Sequence, residues 1–344
     1  MPRQARIALL GTGTVGGAFV ARHQRLAARG LPLPTFELLA NSRGVFVCDG
    51  EPEASLRSAV DAPRADEPPD IDLASLRRGD IVVDATASDA VAARHADWLA
   101  HGIHVVTANK LGNGAELLRA QAIARAQREG RAQYGDSATV GAGLPLLRSI
   151  RELVAGGDAI HAVEGVLSGS LAWLFDRYDG MRPFSGFVRE ARAAGYTEPD
   201  PRIDLSGEDV RRKLLILARA AGIALEAHEI RVDSLVPEAL ARADDKSLEA
   251  ALPSLDAPLR ERHQEACRGG AELRFVGRFD ADGASVGLRA LHAGHPLRGG
   301  EGTDNRVAIH SDRYAERPLV VQGAGAGAEI TAAALWDDVL RIAP

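Results

Sequence analysis

Residues 6–17 read RIALLGTGTVGG, a short apolar run followed directly by a glycine-rich turn. The apolar run predicts a buried strand over residues 6–10, and the residues after the turn predict a helix over 15–29 that stops at Gly30. The turn has the pattern G-x-G-x-x-G at Gly11, Gly13 and Gly16. In this setting the first glycine permits a tight turn, the second lets backbone approach a pyrophosphate, and the third lets the helix pack closely on the strand. We therefore predict a dinucleotide-binding site here.

The start of the predicted helix supports the same interpretation. Thr14 and Val15 stand at its N-terminus, where unpaired N–H groups and a partial positive charge attract phosphate. A plain glycine turn is the alternative. The strand and helix on either side favour nucleotide binding, which indicates a class of cofactor but no substrate.

Strands and helices alternate through the first part of the chain. The predicted elements are strands at 36–40, 81–84 and 104–107, helices at 90–101 and 115–129, and a surface connection with a short helix over the Pro-, Asp- and Arg-rich stretch 44–79. Such alternation is typical of parallel βαβ units with helices on both faces. We predict an α/β fold with a Rossmann-type, doubly wound parallel sheet.

The pattern changes after Gly143. The later predicted elements are helices at 144–155 and 209–221, strands at 159–167, 273–279, 285–291, 307–310 and 319–322, and a last helix at 328–342. They predict a second, α+β domain with an open, largely antiparallel sheet. The expected domains are 1–143, 144–322, and a C-terminal glycine turn and helix, 323–344, that returns to the first domain.

Composition excludes several classes of protein. The formal net charge is −6, whereas surfaces for nucleic acids or anionic membranes carry excess Lys and Arg. Residues 1–10 are too short and polar for a signal peptide, and no apolar run could span a bilayer. Cys48 and Cys267 lie in no CxxC motif, and the ten histidines show no HExxH spacing. We expect a soluble, cytoplasmic protein with reduced thiols and no transition-metal site.

An acidic run, GYTEPDPRIDLSGED, occupies residues 195–209. Its two prolines stiffen the segment and keep the preceding residues out of a helix. Ser206 and Asp209 fit an S-x-x-D capping box, and Asp209 and Lys213 are four residues apart on the predicted helix. A cap with a solvated ion pair is one interpretation. A site for an amino-acid substrate, with carboxylates for its ammonium and a lysine for its carbonyl oxygen, is the other, and spacing leaves both open.

Five segments together resemble the homoserine dehydrogenase family. They are GTGTVGG at 11–17, TANK at 107–110, ATVGAGLP at 138–145, GYTEPDPRIDLSGEDVRRKLLILAR at 195–219, and GAGAGAEITAAALWDDVLRIA at 323–343. The resemblance is greatest to the dehydrogenase half of fused aspartokinase–homoserine dehydrogenases, without a kinase region. It implies that 1–143 binds the dinucleotide and that 144–322 serves substrate binding, catalysis and homodimer formation. Because the chain stops after the last helix, we also expect no strong inhibition by threonine.

The resemblance also implies roles for individual residues. Lys213 matches the catalytic lysine, and Lys110 matches the lysine beside nicotinamide and substrate. The implied substrate-binding acids are Glu198, Asp209 and the nearby Asp204, and the further implied cofactor contacts are Thr86, Gly195 and Gly327. Packing is an alternative reason for glycine at 327.

The family's sodium site matches imperfectly. Backbone carbonyls of Val140, Ala142 and Leu144 correspond to its ligands, but Ser137 stands where the family usually has Glu, with Asp136 beside it. Hard cations prefer carboxylate and carbonyl oxygens, so either Asp136 substitutes or the site is weak or absent.

The implied reaction interconverts aspartate 4-semialdehyde plus NAD(P)H with L-homoserine plus NAD(P)+, a step towards threonine and methionine. One alternative is another amino-acid-pathway dehydrogenase, such as aspartate-semialdehyde dehydrogenase. That enzyme needs a nucleophilic cysteine, and neither Cys48 nor Cys267 has an evident His partner or helix-start context. The other is a non-catalytic NAD(P)-binding regulator, which would need no lysine and acids at 198–213.

The end of the second strand bears on cofactor choice. NAD enzymes of this fold usually carry Asp or Glu there, to bind the ribose hydroxyls and repel a 2′-phosphate. Here the strand ends in Asn41, Ser42 and Arg43, and Glu37 is inside the strand. A guanidinium suits a phosphate, so we predict a preference for NADP, with a solvated Arg43 as the alternative.

Overall fold

The computed structural model describes residues 4–64 and 75–343, and the chain divides into two compact units. The first unit comprises residues 1–143 and 326–344, and the second comprises 144–325. The chain thus leaves the second unit after Gly325, later than the predicted boundary after residue 322.

The first 143 residues contain six strands and five helices within the described ranges. They are β1 (Arg6–Leu10), α1 (Thr14–Ala27), β2 (Thr35–Asn41), β3 (Gly44–Val47), α2 (Pro52–Asp61), β4 (Ile81–Asp84), α3 (Asp89–Ala93), α4 (His95–Ala100), β5 (His104–Thr107), α5 (Leu117–Gly130) and β6 (Tyr134–Gly135). Residues 144–325 contain α6 (Leu146–Ala155), β7 (Ile160–Val166), α7 (Gly169–Arg177), α8 (Phe184–Ala193), α9 (Pro201–Leu205), α10 (Glu208–Ala220), β8 (Ile230–Val232), α11 (Glu238–Ala241), α12 (Leu248–Ala251), α13 (Asp256–Arg268), β9 (Glu272–Asp280), β10 (Gly283–Leu291), β11 (Asp304–Ser311) and β12 (Leu319–Ala324). The last helix is α14 (Ala328–Ile342).

A six-stranded sheet forms the centre of the first unit, in the order β3-β2-β1-β4-β5-β6. Its pairings are parallel except for antiparallel β2–β3. Ile7 and Leu9 pack into one hydrophobic cluster, whereas Ala8 and Leu10 pack into another. A strand covered on both faces is apolar at successive positions, which explains the continuous run in β1. The predicted doubly wound sheet is confirmed, with β3 as an unpredicted edge strand.

The C-terminal helix packs on the first helix of this unit. The Trp336 ring of α14 stacks on Phe19 of α1, with centroids 4.5 Å apart. Trp336 Nε1 also donates a hydrogen bond of 2.8 Å to the Phe19 carbonyl oxygen. These contacts tie α14 to the start of the chain, across 317 residues of sequence.

Two parts of the first unit differ from the sequence-based prediction. The single helix predicted at 90–101 is two short helices, α3 and α4, separated at Arg94. The stretch 44–79 contains β3 as well as the expected short helix, α2. Residues 65–74 of that predicted surface connection lie outside the described residues.

The second unit is built on a six-stranded sheet in the order β12-β11-β7-β9-β10-β8. Its pairings are antiparallel except for the parallel pair β8–β10, so the predicted open and largely antiparallel sheet is confirmed. Helix α10 packs closely on β9, because Gly277 leaves room there: an added Cβ would lie 3.1 Å from a Val210 methyl group. Leu214 and Leu217 of the same helix are fully buried.

Across the described ranges of both units, no helix has the length and apolar character needed to cross a membrane.

Candidate active site

The glycine turn between β1 and α1 shows a separate reason for each glycine. Gly11 has φ +95°, and a Cβ there would lie 2.8 Å from the Ala85 carbonyl oxygen. A Cβ at Gly16 would lie 1.9 Å from the Gly11 carbonyl oxygen, so any larger residue would push α1 off the turn. At Gly13, by contrast, a Cβ would meet nothing within 4 Å. Gly13 therefore leaves backbone open to a ligand, as the dinucleotide interpretation requires.

A cavity of about 640 Å³ adjoins this turn within the first unit. Its walls are the turn residues Leu10–Gly13, the end of β2 at 40–43, the segment 86–88 after β4, and the side chains of Val60 and Val91. Gly11, Gly13, Arg43 and Thr86 all line it, so four of the predicted cofactor-binding residues are brought together. The N-terminus of α1, with Thr14 and Val15, follows the turn, and no side chain caps it.

The predicted phosphate-binding residues at the end of β2 already form hydrogen bonds. Asn41 Nδ2 donates to Thr12 Oγ1 and to the Ala59 carbonyl oxygen, both at 2.7 Å. The Arg43 guanidinium donates to the carbonyl oxygens of Val60 and Ala62, where α2 ends. Arg43 is thus held at the cavity wall by α2. Glu37, inside the strand, pairs with Arg6 at 2.5 Å.

The remaining predicted cofactor residues lie outside the lining of this cavity. Lys110 follows β5 in the first unit, and Gly327 is the N-cap of α14 in the same unit, with φ +122°. Gly195 belongs to the second unit, where it follows α8 with φ +73°. Sequence reasoning missed three buried polar residues, namely Asp84, which accepts hydrogen bonds from Thr86, and its partners His95 and Asn109. The signal available was a charged residue at the end of a buried strand.

Lys213 is the centre of the candidate site in the second unit. Its ammonium lies 2.8 Å from Asp209 Oδ2 and donates a 2.7 Å hydrogen bond to the Leu167 carbonyl oxygen. Lys213 is only 9% exposed, which does not fit a solvated surface pair. Ionised lysines are almost never so buried unless they are paired, and here Asp209 is that partner.

The predicted capping box at Ser206 and Asp209 is wrong. The N-cap of α10 is Gly207, which has φ +80° and no side-chain cap. Glycine is favoured at this position because an added Cβ would lie 2.8 Å from the Phe275 ring. Ser206 Oγ donates to the Ile203 carbonyl oxygen, 2.7 Å away, and accepts from the backbone N–H of Glu208, 3.2 Å away. Asp209 is therefore not a cap, and its carboxylate is turned to Lys213.

Asp200 and Asp204, two of the acids before Lys213, have different hydrogen-bond partners. Asp200 caps α9 and binds Arg202, and this hydrogen bond holds the pKa of the Asp200 carboxyl below its usual value. Asp204 Oδ1 accepts from Ser170 Oγ at 2.6 Å, and its Oδ2 accepts from the backbone N–H of Glu198 at 2.9 Å. The Asp204 carboxylate thus holds the segment that carries Glu198, while Glu198 itself is exposed.

Ser170 was assigned no role from the sequence. Its hydroxyl lies 2.9 Å from Ser168 Oγ as well as bonding Asp204. Both serines are buried at the start of α7, immediately after Leu167. Lys213, Asp204 and Ser170 are thus joined through one short stretch of chain, 167–170.

The residues of the predicted sodium site differ in their surroundings. Ser137 donates from its backbone N–H and its Oγ to Asp338 of α14, at 2.9 Å each. Asp136 is fully buried and accepts from Asn113 Nδ2 at 2.8 Å. Among the described residues no group of three or more His, Cys, Asp or Glu could hold a metal ion. Of the residues whose carbonyls were predicted as ligands, Val140 and Ala142 belong to the first unit and Leu144 to the second.

One expectation about the cysteines needs correction. The sequence suggested no His partner, yet Cys267 Sγ lies 3.7 Å from His263 Nδ1, one turn earlier on α13. Cys267 is exposed, whereas Cys48 is buried. A cavity of about 300 Å³ beside Cys267 has neither Lys213 nor Glu198 in its lining, so this thiol is not part of the lysine site.

Comparison with known proteins identifies the family. The family model for the homoserine dehydrogenase NAD binding domain matches residues 11–134, and the homoserine dehydrogenase model matches residues 145–340. The chain is 45% identical over 267 residues to a bifunctional aspartokinase/homoserine dehydrogenase of Zea mays, covering 76% of this chain but 29% of that protein. It thus spans under a third of the length of that bifunctional relative.

Two further comparisons cover most of the compared protein. Over 271 residues the chain is 40% identical to the homoserine dehydrogenase of Schizosaccharomyces pombe, covering 76% of this chain and 72% of that one. A solved hyperthermophilic archaeal homoserine dehydrogenase in complex with NADPH shares the fold, with a TM-score of 0.75 at 21% identity, over 99% and 98% of the two chains. This chain belongs to the homoserine dehydrogenase family.

Proposed function

We propose that the protein is an active homoserine dehydrogenase, which interconverts L-homoserine and aspartate 4-semialdehyde in the pathway to threonine and methionine. In the reducing direction, aspartate 4-semialdehyde, NAD(P)H and a proton give L-homoserine and NAD(P)+. The observation that carries the proposal is the buried Lys213 ammonium, held by Asp209 and the Leu167 carbonyl oxygen within a chain of this family. A nucleotide-binding regulator would have no use for this arrangement.

The proposed catalytic acid is Lys213. An ammonium group has three N–H donors, and Asp209 and Leu167 engage two of them. We assign the third to the substrate carbonyl oxygen, which becomes an alkoxide as hydride arrives and takes the proton. The nicotinamide cofactor supplies that hydride when bound. Lys110 adds positive charge that stabilises the alkoxide.

The proposed substrate contacts are carboxylates. Glu198 and Asp209 bind the ammonium and hydroxyl groups of homoserine. We assign Asp204 a supporting role, because its two oxygens already accept from Ser170 and from the backbone of Glu198. It holds the Glu198 segment in place instead of meeting substrate.

We assign the cavity beside the glycine turn to the cofactor, with the pyrophosphate at Gly11–Gly16, and the remaining contacts to Thr86, Lys110, Gly195 and Gly327. NADP is the proposed preference. The support is a cationic wall at Arg43 and the absence of a carboxylate from the end of β2 among the cavity-lining residues. We assign a sodium ion to the carbonyls of Val140, Ala142 and Leu144, without the Ser137 hydroxyl, which donates to Asp338.

We also propose a homodimer formed through the sheet of the second unit. Phe275 and Gly277 of β9 face α10, so Arg278 and the paired Glu164 of β7 lie on the other face. There Arg278 and Glu164 form an ion pair of 2.9 Å. Sedimentation equilibrium would test the dimer.

Two free thiols support the proposed location in the reducing cytosol.

The test is the change in absorbance as NADP or NAD is reduced in the presence of L-homoserine. Cofactor reduction that requires homoserine supports the dehydrogenase. Binding of NADPH without turnover would support a regulator, and turnover only with phosphate and aspartate 4-semialdehyde would support the thioester-forming dehydrogenase.

A further inference from the structure

Asp84, the last residue of β4, is a fully buried carboxylate with four hydrogen-bond donors around it. Its Oδ1 accepts from the backbone N–H and the hydroxyl of Thr86, at 2.9 and 2.6 Å. Its Oδ2 accepts from His95 Nε2 at 2.9 Å and from Asn109 Nδ2 at 3.0 Å. An ionised carboxylate is acceptor-only and can serve four donors, whereas an amide presents donors on one side.

These donors come from two separate loops. Thr86 belongs to the loop after β4, residues 85–88, and Asn109 belongs to the loop after β5, residues 108–116. Asn109 Nδ2 also donates to the Ser88 carbonyl oxygen at 2.9 Å, and its Oδ1 accepts from the backbone of Leu111 at 3.1 Å. Asp84 and Asn109 therefore fix the two loops relative to each other.

His95 supports Asp84 from the other side. Because Nε2 faces a carboxylate, it carries a hydrogen, and Nδ1 lies 3.0 Å from the Tyr134 hydroxyl. The loop after β5 rests on this pair: a Cβ at Gly112 would lie 2.1 Å from the Tyr134 hydroxyl and 3.2 Å from His95 Nδ1. His95 is also fully buried, so neither it nor Asp84 can itself touch a bound cofactor.

We propose that Asp84, held by His95, is a positioning residue for the nicotinamide cofactor. It acts through the two loops, which carry Thr86 and Lys110. The inference rests on the proposed function, because that proposal makes these two residues cofactor contacts. Side chains that contact a cofactor must stay within about 0.5 Å of the geometry that the reaction requires, and buried hydrogen bonds of this kind hold them there.

The same strand offers a matched control. Asp80, immediately before β4, is also fully buried and accepts from the Arg6 backbone N–H at 3.0 Å and from the Arg77 backbone N–H at 2.9 Å. Asp84→Asn and Asp80→Asn each alter a buried carboxylate at one end of one short strand. Both should lower the unfolding midpoint in urea, but only Asp84 contacts the two loops in the hydrogen bonds described.

The experiment measures the NADPH dissociation constant by fluorescence titration. It also measures kcat, normalised to the amount of folded protein, and the KM values for homoserine and for the cofactor. For Asp84→Asn we expect about a tenfold or larger rise in the dissociation constant and a fall in kcat of about 10- to 100-fold, with a smaller change in homoserine KM. Asp80→Asn should stay close to wild type in all three. His95→Gln, which keeps a donor, should retain more activity than His95→Leu.

Equal NADPH affinity and kcat in Asp84→Asn and Asp80→Asn would overturn the inference and leave the proposed function intact. Wild-type protein that binds NADPH but does not oxidise homoserine would overturn the proposed function instead, and the dissociation constants of the variants would still decide the inference. Wild-type protein that binds no NADPH would overturn both. If Asp84→Asn does not fold, equal constants in the two His95 variants overturn the inference.

Discussion

Lys213 Nζ lies 2.8 Å from Asp209 Oδ2, one turn earlier on α10, with the lysine almost fully buried and the Asp209 side chain 40% exposed. A buried ammonium needs a partner, and a half-exposed carboxylate can still meet a ligand. The pair thus combines a fixed proton donor with an accessible acid. The hydrogen bond from Lys213 to the Leu167 carbonyl oxygen fixes the direction of the ammonium group.

The first prediction concerns this lysine. Lys213→Ala should reduce kcat by about 10²–10⁴, the usual range for a lost general acid or base. NADPH affinity should change little, because Lys213 and the glycine turn belong to different units. Arg211→Ala is the matched control, since it removes another cation that pairs with an acid of the same helix, Glu208, and it should leave turnover close to normal. Near-normal turnover in Lys213→Ala, measured by cofactor absorbance, would contradict the catalytic assignment.

The second prediction separates contact from support among the acids. Glu198→Gln should raise homoserine KM more than cofactor KM, because it removes the charge that faces the substrate ammonium. Asp204→Asn should also raise homoserine KM, but through the loosened Glu198 segment. When Asp204→Asn is combined with Ser170→Ala, the effect on homoserine KM should therefore be smaller than the sum of the two single effects, since both changes break the same hydrogen bond. Steady-state kinetics of the two single variants and the double variant test this, and strict additivity would argue against the supporting role.

How far the sequence could predict this site depends on the distance over which each contact acts. The turn at Gly11–Gly16 is local, so its strand, its helix and its open backbone followed from the spacing alone. The link from Asp204 to Ser170 joins residues 34 positions apart and exists only after α7 and α9 have packed. The capping box failed for a similar reason, because the N-cap of α10 is Gly207, which packs against the Phe275 ring of the distant strand β9.

The third prediction uses Gly13 and Gly16, the last two glycines of the turn. Gly16→Ala should lower the free energy of unfolding by about 2 kcal/mol or more, because its Cβ would overlap the Gly11 carbonyl oxygen. Gly13→Ala should leave folding nearly unchanged, because the added methyl group meets nothing within 4 Å, yet it should weaken NADPH binding. Urea unfolding and NADPH titration of both variants distinguish the effects. Unchanged NADPH affinity in Gly13→Ala would place the pyrophosphate elsewhere.

The fourth prediction concerns Asp338, whose pKa is raised from 3.8 mainly by burial. The folded protein therefore binds this proton more tightly than the unfolded chain. Stability from this group is present below pH 3.8 and falls as pH rises through the raised folded pKa. The Asp338→Asn variant has no carboxyl group at this position that could ionise. The difference in free energy of unfolding between the variant and the wild type should therefore shift in favour of the variant as pH rises over that range. Urea unfolding followed by the fluorescence of the neighbouring Trp336 measures this, and parallel pH curves for the two proteins would contradict it.

The last prediction concerns cofactor choice at Arg43. The carbonyl oxygens of Val60 and Ala62 hold its guanidinium at the wall of the cavity, and a carboxylate that would repel a 2′-phosphate is absent from that wall as described. Wild-type kcat/KM should therefore favour NADP over NAD. Arg43→Ala should reduce kcat/KM for NADP by about tenfold or more, as expected when a charge-assisted contact is lost, and should alter the value for NAD much less. Arg43→Lys keeps the charge without the planar fork, and its kcat/KM for NADP should fall between those of the wild type and Arg43→Ala.

Because Arg43 also contacts α2, the thermal midpoint of each variant is measured in parallel. An equal loss with both cofactors would assign Arg43 to the packing of α2, and a wild-type preference for NAD would reject NADP as the cofactor.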